Sequence, residues 1–183
     1  MFYLETIFLL LFLVAVIFIL FSLAYAGISA APWVPLPQRE IRRMLKLARV
    51  GPGDLVYDLG SGDGRILILA AQEFGARGLG FEISALPYIF SKIRIWLSGL
   101  NQKIKIKYAS FYSHDLGGAK VITVFLTPMA MKKLSPKFKK ELKPGTQIVS
   151  YAFALKDWQP LKIDKPDPKI MAIYLYQVDP VGS

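Results

Sequence analysis

One short stretch limits the folds open to this chain more than any other. Residues 55–65, LVYDLGSGDGR, begin as an apolar strand, pass through three glycines at alternate positions and lead into an apolar helical run. A strand, a glycine turn and a helix start form the ligand-binding corner of nucleotide-binding α/β folds. The glycines let the backbone turn sharply towards a ligand, and the helix N-terminus favours a carboxylate or phosphate. The stretch therefore predicts an α/β domain with a ligand site at this turn.

The spacing of the glycines narrows the choice of ligand. A dinucleotide-binding turn needs G-x-G-x-x-G, whereas Gly60, Gly62 and Gly64 give G-x-G-x-G and Arg65 takes the place of the third glycine. A nicotinamide enzyme is therefore disfavoured. With Asp58 two residues before the first glycine, the stretch resembles motif I of the seven-strand S-adenosylmethionine (SAM) methyltransferases. The likeness covers most of residues 51–178.

The resemblance implies that the turn holds the methionine end of SAM, whose product is S-adenosylhomocysteine. A buried carboxylate after an apolar strand needs partners, and the ligand's amino group would supply one, directly or through water. The residues expected to form this part of the site are Asp58, Gly60, Ser61, Gly62, Asp63 and Gly64.

A second group of residues is expected at the adenosine end. Glu82 closes the second predicted strand, 22 residues after Gly60, where an acidic side chain accepts hydrogen bonds from ribose hydroxyls. Ile83 is expected to pack on the adenine. Related methyltransferases often have Asp or Asn at the position of Ser110, so here the adenine contact is expected to depend on backbone groups and on Phe111.

The rest of the pattern predicts a Rossmann-like, doubly wound α/β sheet of seven strands. Ligands bind such a sheet at the carboxyl ends of the strands, around the point where the strand order reverses. Thr127 and Pro128 directly follow the fourth predicted strand, so they are expected to face the methyl acceptor. Too few residues separate the fifth strand from Ile170 for another full helix, and the last two strands are expected to form an antiparallel pair. The predicted helices cover 65–74, 86–100 and 129–142, and the later strands cover 77–82, 103–108, 119–126, 147–152, about 161–163 and 170–178.

Composition excludes several other chemistries. The chain has no cysteine and one histidine, His114, so disulfides, thiolate catalysis and a histidine-based metal cluster are excluded, and no metal is expected. His114 beside Asp115 is interpreted as a solvated loop residue rather than as half of a catalytic pair. The formal net charge of +10 suits an anionic membrane surface or nucleic acid and does not choose between them.

A long apolar segment precedes the α/β pattern. Fifteen of the seventeen residues in 7–23 are Leu, Ile, Val or Phe, and a helix over 6–26 would be about as long as the hydrocarbon core is thick. A cleaved signal peptide is the rival interpretation, because AYA and SAA at 24–26 and 29–31 resemble cleavage sites. The run is longer than usual for a signal peptide, however, and its basic residues follow it rather than precede it. The positive-inside rule then predicts a single-pass anchor in the cell membrane with the catalytic domain on the cytoplasmic side, where SAM is available.

Residues 29–50 are expected to join the anchor, 1–28, to the methyltransferase domain, 51–183. Prolines in APWVPLP, 31–37, exclude a helix there, and Trp33 either lies at the membrane interface or folds over the cofactor pocket. Residues 38–50 predict an amphipathic helix whose basic side is either solvated or attracted to anionic lipid, with lipid favoured by the adjacent anchor. The basic residues are Arg39, Arg42, Arg43, Lys46 and Arg49.

These pieces occur in an order that resembles one group of enzymes. The anchor, the PWVPLP hinge, DLGSGDGR, the GFE strand end and FLTPM after the fourth strand are similar to the small membrane-anchored protein-lysine methyltransferases, whose mitochondrial members modify the c-subunit of ATP synthase. The resemblance implies SAM-dependent methylation of a lysine in a protein substrate, and membrane proteins are among the possible substrates. Membrane lipid is then an expected partner and nucleic acid is not. A lipid or small-molecule methyltransferase and a SAM-binding scaffold without turnover are the alternatives, and the sequence identifies no catalytic base.

Overall fold

A computed structural model describes residues 2–29 and 33–179 of the chain. The helices are α1 (Phe2–Ser29), α2 (Gln38–Leu47), α3 (Arg65–Phe74), α4 (Ala85–Leu97) and α5 (Pro128–Glu141). The strands are β1 (Leu55–Leu59), β2 (Arg77–Glu82), β3 (Ile104–Tyr108), β4 (Val121–Val124), β5 (Gln147–Tyr151), β6 (Lys162–Asp164) and β7 (Ile173–Gln177).

The seven strands form one sheet in the order β3-β2-β1-β4-β5-β7-β6. β1 to β5 pair in parallel, and β7 runs antiparallel to both β5 and β6. The strand order reverses between β1 and β4, so the carboxyl ends of these two strands diverge into a crevice. The doubly wound, seven-strand prediction and its closing antiparallel pair are confirmed.

Two apolar layers cover the faces of the sheet. One contains α2 and α3, and the other contains α5, whose Leu134 and Phe138 are fully buried. The proline hinge is followed directly by α2, which inserts Ile41, Met44 and Leu45 into the first layer with no exposed surface. Burial of each such side chain contributes roughly 1.5–3 kcal/mol, so α2 is held by the sheet as firmly as a core helix.

The basic side of α2 is only partly available to lipid. Arg42 forms a two-pronged ion pair with Glu73 of α3, and Arg43 binds both Glu40 and Asp164. Arg42 and Glu73 are both 39% exposed, so their pair belongs to a solvated face. Arg43 departs from that interpretation, because its side chain is only 16% exposed and is held by Glu40 and by Asp164, 121 residues away.

Several element boundaries differ from the predicted ones for local reasons. α2 ends at Leu47 because Arg49 takes a left-handed backbone angle of φ 48°, and α4 ends before Gly99, at φ 67°. β4 is shorter than predicted, which leaves Phe125 and Leu126 beyond the hydrogen-bonded ladder. α5 begins one residue early, at Pro128.

The N-terminal helix α1 includes the predicted anchor. By length and composition, its segment Tyr3–Ser22 is able to span a membrane, with a mean hydropathy of 3.0, and its most apolar part is not buried in the protein. Positions 30–32, which include the first hinge proline and part of one apparent cleavage site, lie outside the described residues.

Candidate active site

A cavity lies at the carboxyl ends of β1, β2 and β4, where the strand order reverses. It is partly open to solvent and is lined by residues of the glycine turn, of the loops after β2 and β4, and of the proline hinge. Eight of the predicted cofactor residues line it: Asp58, Gly60, Ser61, Gly62, Asp63, Glu82, Ile83 and Phe111.

Asp58 presents a buried carboxylate to this cavity. It is 2% exposed, and its Oδ1 atom accepts a 2.8 Å hydrogen bond from the Thr123 hydroxyl on β4. Within the described part of the chain, its Oδ2 atom has no hydrogen-bond partner. Burial raises the pKa of Asp58 to about 7; the hydrogen bond from Thr123 opposes this, and the nearby carboxylates of Glu82 and Asp63 add to it. A buried oxygen without a partner indicates that a hydrogen-bonding group of a ligand belongs beside it.

Glu82, at the end of β2, ties two loops together. Its Oε2 atom accepts a hydrogen bond from the Gly62 amide at 2.8 Å, and its Oε1 atom accepts from the amides of Ile83 and Ser84 at 2.9 and 2.7 Å. The carboxylate therefore fixes the glycine turn and the loop after β2. Each carboxylate oxygen has more than one acceptor site, so this side chain retains capacity for ligand hydroxyls.

The glycine turn depends on backbone conformations that other residues rarely adopt. Gly60 and Gly62 have φ angles of 83° and 54°, both left-handed. A Cβ atom on Gly62 would also lie 2.8 Å from Cδ1 of Trp33. A side chain at position 62 would therefore both strain the backbone and collide with the indole of the hinge.

Trp33 folds over the cavity, one of its two predicted places. Its indole lies against Gly62 and 6.1 Å from the ring of Phe90 on α4, and Val34, Pro35 and Leu36 continue the same wall. The hinge is therefore part of the cavity and not merely a link from the anchor.

Asp63 is held by two arginines. Arg65 donates to both of its oxygens, at 2.9 and 2.7 Å, and Arg94 of α4 pairs with it. Burial raises the pKa of Asp63, but the hydrogen bonds and charges of the two arginines outweigh that effect and lower it. Arg65 also donates to the Leu36 carbonyl at 2.9 Å and so fastens the hinge to the start of α3.

Four predicted residues lie outside the cavity wall. Gly64 packs against α4, where a Cβ atom would stand 3.3 Å from that of Ser91. The Ser110 hydroxyl accepts from the amide of Tyr112. Thr127 accepts from the Ala130 amide as the N-cap of α5, and Pro128 is the first residue of that helix.

Sequence reasoning missed Phe125 and Leu126, which form the wall that was assigned to Thr127 and Pro128. It also missed Arg65 as the clamp on the hinge. His114, which the sequence analysis assigned to a solvated loop, has its Nδ1 atom 3.1 Å from the Ser110 carbonyl oxygen. Among the described residues there is no cluster of His, Cys, Asp or Glu suited to a metal ion.

The ANTKMT methyltransferase domain is the family model that matches the chain, over residues 58–162, from the Asp58 carboxylate to the start of β6. The chain belongs to this family. It is a SAM-dependent methyltransferase, which confirms the family resemblance.

Curated relatives of this methyltransferase are named for lysine methylation. It is 39% identical over 150 residues to a protein-lysine N-methyltransferase of Saccharolobus islandicus, with 80% of this chain and 93% of that protein covered. It is 33% identical to the mouse adenine nucleotide translocase lysine N-methyltransferase and 30% identical to the human lysine N-methyltransferase of the ATP synthase c-subunit. These matches cover 72% and 70% of this chain, but only 57% and 54% of the animal proteins, so the methyltransferase spans about half their length.

Solved structures show the same fold. An RNA methyltransferase from Salinibacter ruber in complex with S-adenosyl-L-homocysteine is 35% identical, with a TM-score of 0.76 and coverage of 80% of this chain and 94% of that one. A SAM complex of MtNAS, at 14% identity, has a TM-score of 0.67 over 78% of this chain and 62% of its own, and supports the fold alone.

Proposed function

We propose that this methyltransferase transfers the methyl group of SAM to a lysine side chain of a protein, and that it does so at the cytoplasmic face of a membrane. The observation that carries the proposal is the buried carboxylate oxygen of Asp58 in the cavity wall, which has no hydrogen-bond partner among the described residues. The lysine acceptor is supported by the names of the curated relatives, above all the archaeal protein that the chain spans almost completely.

The residues in the cavity suit the groups of SAM. Asp58 would receive the ammonium of the methionine end, and the glycine turn would leave room for its backbone to approach. Glu82 would accept the ribose hydroxyls while it holds Gly62, and Ile83 and Phe111 would pack on the adenine. When bound, SAM supplies a methyl group already activated by a sulfonium charge. The protein's part is to orient the acceptor and exclude water.

Two aromatic side chains meet where β4 and β5 end, and one of them belongs to the cavity wall. Phe125 lines the cavity at the end of β4, and the Tyr151 ring at the end of β5 packs edge-on against it, with 5.0 Å between ring centroids. An apolar, aromatic slot desolvates an entering lysine and lowers its pKa, so that the amine arrives neutral and nucleophilic. The same rings favour the methylated ammonium that leaves. We therefore assign the acceptor slot to Phe125 and Tyr151, with Thr127 and Pro128 as its outer rim.

The proposed membrane attachment uses the segment Tyr3–Ser22 of α1 as a single span. Twenty helical residues measure about 30 Å, the thickness of the hydrocarbon core. Residues 1–28 would form the anchor, 29–50 the hinge and first core helix, and 51–183 the catalytic domain. Membrane lipid is then a direct partner, and membrane proteins are the substrates nearest to the site.

Protease treatment of sealed inside-out and right-side-out vesicles tests the topology. We expect residues 39–183 to be digested only in the orientation that exposes the cytoplasmic face. Digestion in the opposite orientation would contradict both the topology and the access of the domain to cytosolic SAM.

The acceptor is tested by incubating the full chain with methyl-labelled SAM and separate membrane, soluble and RNA fractions. We expect label in protein, recovered as methyl-lysine after acid hydrolysis and lost from the macromolecular fraction on protease treatment. Label extracted into organic solvent would instead identify a lipid acceptor. The variant Asp58→Asn, which retains the shape of the side chain, is the control for transfer that requires the site.

RNA is the second candidate acceptor, because the similar Salinibacter ruber structure is named an RNA methyltransferase and this chain carries a net charge of +10. Ribonuclease-sensitive label in the same assay would favour RNA over protein. We place protein first because the curated relatives are named for lysine methylation.

A further inference from the structure

Helix α4 carries an apolar stripe that the fold leaves uncovered. At 100° per residue, its exposed apolar side chains fall within one 120° sector, while Pro87, Ser91 and Ile95 on the opposite side are buried. The stripe consists of Ile89, Phe90, Ile93, Trp96 and Leu97, which are between 41% and 71% exposed. A contiguous stripe of this kind marks an interaction surface rather than scattered surface residues.

The start of α4 is joined to the end of the proposed span. Ser22, the last residue of that span, accepts a 2.8 Å hydrogen bond from the backbone N–H of Ala85, the first residue of α4. This N–H is one of the four that a helix leaves without an internal partner at its N-terminus. The junction is tight, because Ser22 is only 6% exposed.

The contact extends back into the apolar segment. Val16 and Ile19 are partly buried, whereas the other described side chains from Tyr3 to Phe21 are exposed. α1 packs chiefly against α4, and the hydrogen bond from Ala85 to Ser22 places the start of α4 beside the end of the span. The stripe is thus placed at the depth where the span leaves the membrane.

The flanks of the stripe suit the boundary between acyl chains and headgroups. Lys92 is exposed on one side and Arg94 lies on the other, and Trp96 stands within the stripe itself. Amphipathic helices with Trp and aliphatic residues on one face and basic residues beside it bind at this boundary. Lys92 has a flexible stem long enough to keep its charge among the headgroups.

We propose that α4 is a second membrane contact, with its apolar stripe seated in the lipid of the leaflet where the α1 span ends. Phe90 of the stripe contacts Trp33 over the cavity, so the mouth of the site then opens at the bilayer surface. Acceptor lysines at that surface, on membrane proteins or on proteins drawn to it, reach the site without leaving the interface. This inference rests on the proposed function only for the α1 span.

The absence of cysteine from the chain allows a direct test. Single substitutions Ile93→Cys and Leu97→Cys on α4 each receive a nitroxide label, and the full chain is reconstituted in vesicles of equal parts phosphatidylcholine and phosphatidylglycerol. Ile163→Cys on β6 is the matched control, since Ile163 is 53% exposed and Ile93 is 48% exposed. Leu13→Cys reports on the span. SAM binding at the parental affinity verifies that each variant is folded.

Collisions with oxygen, which partitions into lipid, are compared with collisions with a water-soluble nickel chelate. We expect the α4 and Leu13 labels to collide more with oxygen, and the β6 label to collide more with nickel. If the α4 labels behave like the β6 label while Leu13 stays protected, the inference is wrong and the anchored methyltransferase stands. The inference is also wrong if the α4 labels lose access to nickel only after a protein partner is added, because a protein and not lipid then covers the stripe. Nickel access at Leu13 as well as on α4 would overturn both the span and the inference.

Discussion

The backbone N–H of Gly62 donates a 2.8 Å hydrogen bond to Glu82, twenty residues further along the chain. This contact joins the middle of the glycine turn to the end of β2. The same carboxylate accepts hydrogen bonds from the backbone amides of Ile83 and Ser84, and Glu82 is only 7% exposed. One side chain therefore shapes the two loops between which the cofactor is proposed to bind.

Replacing Glu82 is expected to weaken SAM binding while the protein still folds. Glu82→Ala removes both the acceptor for three backbone amides and the proposed partner of the ribose, at about 1.5–3 kcal/mol for each charged hydrogen bond. We expect at least a tenfold rise in the Kd for SAM, measured by isothermal titration. Glu73→Ala, which removes an exposed carboxylate paired with Arg42, is the matched control and is expected to leave the Kd unchanged. Parental affinity in a folded Glu82→Ala variant would remove this residue from the site.

Gly62→Ala is expected to disturb the site through Trp33. The new methyl group adds a left-handed backbone penalty of about 1–2 kcal/mol and a clash 2.8 Å from the indole. Gly99→Ala carries the same penalty at φ 67°, but no atom lies within 4 Å of its Cβ position, so it isolates the backbone effect. We expect both variants to lose thermal stability, but only Gly62→Ala to lose SAM affinity. Equal SAM affinity in the two variants would show that Trp33 does not cover the bound cofactor.

Local patterns were sufficient to predict most of the sheet and the glycine turn. The strand–turn–helix order and the acidic residues at the ends of β1 and β2 are encoded in residues close together in sequence. The hinge was harder to predict, because the position of Trp33 depends on Gly62 and Phe90, which are distant in sequence. The pairing of Arg43 with Asp164, 121 residues away, and the early end of β4 likewise arise from tertiary packing. Sequence periodicity carries no signal for such contacts.

The raised pKa of Asp58 makes the stability of the ligand-free protein dependent on pH. Its pKa in the folded protein, about 7, lies above its ordinary value of 3.8, so the folded state holds an extra proton between these values. Protonated Asp58 therefore makes its whole contribution to the free energy of unfolding below about pH 4. As the pH rises through 7 this contribution, on the order of 2–4 kcal/mol, is lost. Without ligand, unfolding free energy should fall over this window, and Asp58→Asn should flatten the fall.

The same carboxylate predicts proton release on binding. The cationic amino group of SAM favours the ionised form of Asp58, so binding at pH 6 should displace its proton. Titration in buffers with different ionisation enthalpies measures the number released. We expect a substantial fraction of one proton for the parent and almost none for Asp58→Asn. Equal release by both proteins would mean that the proton comes from another group.

The Arg65 clamp is expected to control the hinge. Its guanidinium binds Asp63 and the Leu36 carbonyl together, a geometry that the ammonium of lysine does not reproduce. Arg65→Lys should therefore speed cleavage of the hinge by protease and weaken SAM binding several-fold. Arg77→Lys, an exposed position at the start of β2, is the control and should change neither. Unchanged hinge cleavage in Arg65→Lys would show that packing of Leu36 alone holds the segment.

The proposed acceptor slot predicts a loss of turnover without a loss of cofactor. Phe125 directly follows β4 and meets Tyr151 edge-on at 5.0 Å, so truncation there widens the slot and admits water to the entering lysine. Phe125→Ala should lower kcat/KM for the protein substrate by about tenfold to a hundredfold, because an aromatic pair and its desolvated surroundings contribute roughly 1.5–3 kcal/mol. The Kd for SAM should stay within a factor of two or so of the parent, since pre-organised contacts elsewhere hold the cofactor. The relative rates of the first and later methyl additions, followed by mass spectrometry, should also change, because the methylated amine occupies the same aromatic edge.

Phe153→Ala, at a neighbouring but 39% exposed ring, is the matched control. If Phe125→Ala raises the Kd for SAM as much as it lowers kcat/KM, Phe125 belongs to the cofactor wall, and the lysine enters by another path.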